Sequence, residues 1–100
     1  MGEIEYERQH DIDARMRAEY KSRKGQITSF IIQLEVLFKD EWKPVVRYDT
    51  AHGFAHRDLY HRSDRTTKTE LNMSFNDALT YALNDIRDNW ELYRRNFLGR

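Results

Sequence analysis

The chain has 100 residues, 39% hydrophobic and 34% charged, which is too apolar and aromatic for a disordered chain and short enough for a single domain. Its formal net charge is zero, so bulk electrostatics will not draw it onto nucleic acid, and any contact with RNA must come from a local patch. Cysteine is absent, which removes disulfides, thiolate nucleophiles and Cys-type zinc sites. No apolar run is long enough for a membrane span and no signal-like stretch opens the sequence, so a soluble, cytoplasmic protein without a membrane partner is expected.

The predicted elements, taken in order, describe an α+β domain over 1–100. Residues 1–25 are dense in charge. Ile12, Met16 and Tyr20 recur every four residues, as on one helical face, and acidic residues early with Lys21, Arg23 and Lys24 late suit a helix dipole closed by Gly25. A charged N-terminal helix is expected there. Residues 26–71 read as a four-stranded antiparallel meander. Its first strand, Gln26 to Phe38, alternates Phe30, Ile32, Leu34, Val36 and Phe38 on one face. A three-residue turn, Lys39-Asp40-Glu41, would pair Phe38 with Trp42, Val36 with Pro44, Leu34 with Val46 and Ile32 with Tyr48. That register puts all eight side chains on one apolar face, with Arg47 opposite Gln33 on the other. Pro44 cannot donate to a ladder and should lie at an edge or a bulge. Thr50 to Gly53 is a turn, Phe54 to His61 a strand of undetermined facing, and Thr66 to Leu71 a short fourth strand. Over 74–98, Ser74 caps a helix whose Phe75, Leu79, Ala82, Ile86, Trp90, Tyr93 and Phe97 form one apolar stripe to cover the sheet, and Gly99 ends it.

Residues able to do chemistry are concentrated between Arg47 and His61. Asp49, His52, His56, Asp58 and His61 are interleaved there with Arg47, Arg57, Tyr48 and Tyr60. Three readings of this composition stay open. Imidazole and carboxylate suit a divalent metal, if a fold-back at Gly53 gathers His52 and His56. The same groups suit metal-free acid–base cleavage of RNA, in which imidazoles exchange protons at neutral pH and guanidinium forks hold phosphate. They also suit a solvated sheet face held by cross-strand pairs. Tyr48 belongs to the core on the predicted register. Trp42 and Trp90 are packing residues before they are stacking platforms.

The run Val45 to His61, with Asn84-Asp85-Ile86 and Trp90-Glu91-Leu92-Tyr93, resembles a group of small uncharacterised bacterial proteins. The Arg47-Tyr48-Asp49 and Ala51-His52 portion is similar to the Arg-Tyr-Asp-Asn-Ala-x-His run of TumE-like toxins of toxin–antitoxin pairs. The resemblance implies an RNA-targeting toxin, on a RelE-like scaffold of helix, antiparallel sheet and helix. On that reading the protein is a ribonuclease needing no cofactor, with RNA and an antitoxin-like protein as partners. His52 and His56 would be the proton-transfer groups, oriented by Asp49. Arg47 and Arg57 would hold phosphate, and Tyr60 and His61 would contact substrate. The alternative is a non-enzymatic interaction module or accessory subunit, expected as a homodimer, motivated by the thin apolar stripe of the N-terminal segment and the abundant aromatics.

Overall fold

The segment that reads as a helix folds as a β-hairpin. In the computed structural model, which describes residues 2–99, β1 spans Gly2–Asp11 and β2 spans Ala14–Arg23. A spacing of four puts Met16 and Tyr20 on one helical face, but four is also a multiple of the strand's side-chain period of two. The alanines decide between the two: Ala14 and Ala18 are buried with Met16, so small residues complete a strand-like alternation that looks empty in the sequence. Arg15, Arg17 and Glu19 occupy the opposite face. Ile12, the third member of the supposed stripe, lies in the turn and is 86% exposed.

The sheet therefore has six antiparallel strands in sequential order, not four, and no helix precedes it. β3 (Gln26–Phe38), β4 (Glu41–Asp49), β5 (His56–Tyr60) and β6 (Thr66–Glu70) follow the first hairpin, and α1 (Phe75–Leu98) closes the chain. The helix–sheet–helix plan expected of a RelE-like protein is not this architecture. One helix packs on one sheet face, and the other face is open along its whole width.

The β3–β4 register holds where the apolar pattern is strongest and slips beyond it. Ile32 faces Tyr48, Gln33 faces Arg47 and Leu34 faces Val46, after which Glu35 faces Pro44 and Val45 is the extra residue of a bulge. The turn is tighter than expected: Lys39 and Asp40 both have positive φ, 51° and 65°, the requirement of a two-residue primed turn. Shortening the loop by one residue and inserting Val45 cancel, so Pro44 sits at the bulge where its missing N–H costs no ladder bond. The slip also turns Trp42 away from the helix. It pairs with Leu37 and lies under the Arg15 guanidinium, 4.1 Å from the ring centre, so the eight expected residues do not share one face.

The helix follows its sequence pattern. The Ser74 hydroxyl accepts from the Asp77 N–H at 3.1 Å, and Gly99 caps the end at φ 77°. Ala78, Leu79, Ala82, Ile86 and Phe97 are buried against Phe30, Ile32, Leu34, Val36, Val46 and Tyr48. The helix start is fixed by Asn76, which accepts from the Ile27 N–H at 2.8 Å and donates to the Gly25 carbonyl at 3.2 Å. Near the helix end, Arg94 reaches Asp11 at 3.0 Å and Asp13 at 2.7 Å, tying α1 to the first hairpin. Among the described residues no helix is long and apolar enough to cross a membrane.

Candidate functional site

Strand pairing decides which residues of the Arg47–His61 stretch meet. Arg47 lies opposite Asp58 and Asp49 opposite His56, so β4 and β5 place four polar side chains on the open sheet face. Asp49, His56 and Asp58 are only 5%, 7% and 6% exposed, which is unusual for ionisable groups on a solvent-facing surface. The groups satisfy one another. His56 Nε2 is 2.8 Å from Asp49 Oδ1 and 3.8 Å from Asp58 Oδ2. Arg47 Nε donates to Asp49 Oδ2 at 2.7 Å, and Lys68 Nζ is 3.3 Å from Asp58 Oδ1. Asp49 Oδ1 also accepts from the Ala51 N–H at 3.1 Å, so this carboxylate anchors the turn that follows β4.

That turn carries His52. Residues 51–53 form a single 3-10 turn in which His52 has φ 72° and Gly53 φ 87°. The left-handed pair produces the fold-back expected at Gly53. It brings the exposed His52 ring to 6.4 Å from the buried His56 ring, centre to centre. The two imidazoles are neighbours with different surroundings: His52 is open to solvent, and His56 is enclosed by carboxylates.

Two residues assigned to substrate in the sequence lie elsewhere. Arg57 pairs with Tyr48, on the helix side of β5, where Arg57 Nη1 donates to the Tyr93 hydroxyl at 3.4 Å. The single-residue alternation of a strand separates it from Arg47. His61 lies past the end of β5, its Nε2 3.1 Å from the hydroxyl of Thr67 near the start of β6. Tyr60 shares the open face with His56 and Asp58. Burial, and next the Asp58 carboxylate, push its hydroxyl above the ordinary tyrosine range, so it stays a proton donor.

Asp58 and Lys68 are the members that sequence reasoning left without a role. The signal for Asp58 was present, since it follows His56 by two residues, but it becomes readable only once the facing of β5 is known. Lys68, on the fourth strand of the predicted meander, had no local signal at all.

A second polar cluster lies under the helix. Asp85 accepts from the Tyr48 hydroxyl at 2.6 Å, from the Tyr93 hydroxyl at 2.5 Å and from Asn89 at 2.8 Å. Burial, and next the bond to Asp85, hold the Tyr48 hydroxyl far above its ordinary value and push that of Tyr93 up to about 12. These hydroxyls are therefore packing donors and not acids. Tyr48 belongs to the core, as the predicted register has it.

A domain match covers every residue of the chain. The protein belongs to the DUF7718 family, a domain of unknown function that matches residues 1–100. No curated protein and no solved structure matches it. Membership in DUF7718 brings no chemistry with it, so the case for a site in this DUF7718 chain rests on Arg47, Asp49, His52, His56, Asp58 and their surroundings.

Proposed function

We propose that this protein is a toxin-like protein that acts on RNA through the open face of its sheet. The observation that carries the reading is the buried cluster of Asp49, His56 and Asp58, held to Arg47, with the exposed His52 beside it. The likeness of Arg47-Tyr48-Asp49 and Ala51-His52 to TumE-like toxins supports it. Arg47 contacts phosphate, retaining partial exposure beyond its bond to Asp49. His52 is the group free to exchange protons. It takes the 2′-hydroxyl proton as the 2′ oxygen bonds to phosphorus, and returns it to the 5′ oxygen as that bond breaks. His56, turned onto Asp49, acts as a positioning residue, a narrower role than the sequence assigns. Arg57 and His61 have no part.

The test compares the wild type with His52→Ala and Arg47→Ala for growth inhibition and for cleavage of purified RNA. Loss of both effects in each variant, with the fold retained, is expected. Equal growth and no cleavage in all three would remove the reading.

A binding role remains as the second reading, favoured by the free edge of β1. This edge is ten residues long, has no proline and carries Glu3, Glu5 and Glu7 at alternate positions. A long edge is a template for a partner strand. The three glutamates oppose pairing with a second copy and favour a basic segment, such as an antitoxin-like partner would supply. Solution mass of the purified chain should then be monomeric, and a stable dimer would count against this partner choice.

A further inference from the structure

We propose that Asp49 Oδ1, His56 Nε2 and Asp58 Oδ2 bind one divalent first-row transition ion. One ligand atom from each of the three residues lies within 4.8 Å of the other two, and every contributing residue is buried. Metal–oxygen and metal–nitrogen bonds of about 2.0–2.2 Å set neighbouring ligand atoms roughly 3 Å apart. The observed 2.8 Å and 3.8 Å separations from His56 Nε2 bracket that value, so small side-chain adjustments admit an ion at their centre.

The surroundings argue for this more strongly than the distances do. Each of the three side chains has its other polar atom held from outside the trio. Asp49 Oδ2 is bound by Arg47 Nε at 2.7 Å, Asp58 Oδ1 faces Lys68 Nζ at 3.3 Å, and His56 Nδ1 faces the Phe54 carbonyl at 3.4 Å. Metal-binding imidazoles commonly donate their remote N–H to a carbonyl, and ligating carboxylates are held by a second hydrogen bond. Binding the ion would displace the Nε2 proton now shared with Asp49 Oδ1 and leave the ring proton on Nδ1, facing the Phe54 carbonyl.

One imidazole and two carboxylates form a mixed nitrogen–oxygen set, suited to Zn2+ or Mn2+. The metal reading of the sequence paired His52 with His56. The strand register replaces His52 with Asp58, which alternation places on the same face as His56. A bound ion would fasten the β4–β5 junction beneath the turn that carries His52. Any contact of that ion with RNA phosphate rests on the function proposed above, but binding of the ion does not.

Calorimetric titration of the full chain with Zn2+ and with Mn2+ tests the site. One ion should bind per chain, with affinity reduced more than about tenfold in Asp58→Asn and retained in His61→Ala. Should Asp58→Asn fail to fold, the wild type alone suffices: substoichiometric Mn2+ should broaden the NMR signals of Asp49, His56 and Asp58 first. Absence of saturable binding for both ions, unchanged affinity in Asp58→Asn, or broadening centred on Glu3, Glu5 and Glu19 overturns the proposal. Because the readout is the ion itself, a protein that binds it yet leaves RNA intact refutes only the RNA role.

Discussion

Asp85 takes hydrogen bonds from Tyr48, Tyr93 and Asn89, and the two hydroxyls have no other acceptor of comparable geometry. Removing one donor and removing the acceptor should therefore have unequal effects. Tyr48→Phe deletes one bond to a charged group and leaves Asp85 with two partners, at a cost of about 1.5 kcal/mol. Asp85→Ala removes the acceptor of both hydroxyls, that of the fully buried Tyr48 among them, and should cost more, about 3 kcal/mol. Urea unfolding of both variants checks the order, and equal midpoints would sink the account. Tyr93 adds a pH signature. Its folded value is raised to about 12 from 10.0, so its contribution is full below pH 10 and is lost as pH rises through about 12. Alkaline unfolding should therefore shift less in Tyr93→Phe. At this scale the sequence shows much of the site: alternation along 45–49 is enough to separate Tyr48 from Arg47 and Asp49. It does not show the facing of 56–60, because Phe54, Ala55, Leu59 and Tyr60 supply apolar residues to both sides. The sequence therefore offers no ground for separating Arg57 from Arg47 or for joining Asp58 to His56, which the strand pairing does.

The first hairpin shows where element-level reading fails. Two of its four inward positions on β2 are alanine, and an alternation made of small residues carries little hydrophobic signal in a sequence otherwise rich in charge. The i, i+4 pair Met16 and Tyr20 then fits either period. By contrast, β3 is legible because its inward residues are large and β-branched or aromatic, and α1 because its stripe runs six turns from a Ser cap to a Gly cap. The two readings of residues 14–20 predict different energetics. A weakly docked helix would tolerate truncation of Met16, whereas a residue 3% exposed within the sheet core would not. Met16→Ala should lower stability by about 2–5 kcal/mol, measured as the shift in denaturation free energy. A change below about 0.5 kcal/mol, the usual range for surface substitutions, would reinstate the peripheral position.

At the scale of the whole molecule, the six strands are joined only by short local connections, and the first strand, laddered to β2 along its length, gains a second attachment through α1. Arg94 supplies part of that through Asp11 and Asp13, and His10 supplies another part by stacking on Trp90 with ring centres 5.2 Å apart. His10 Nε2 is buried with no hydrogen-bond partner; Arg8 lies on the same strand, and Arg94 also packs on the Trp90 ring. Burial first, and Arg8 second, hold its imidazole below the ordinary value of 6.5. The unfolded chain therefore binds this proton before the folded one does. Stability contributed here is full above pH 6.5 and falls as the pH drops below it toward the folded value. His10→Phe keeps an aromatic ring against Trp90 and removes both the proton and the unpaired nitrogen. Its melting temperature should exceed that of the wild type by a margin that widens as the pH falls below 6.5. A margin that stays constant from neutral to acidic pH would show that β1 is not held to α1 by an uncharged His10.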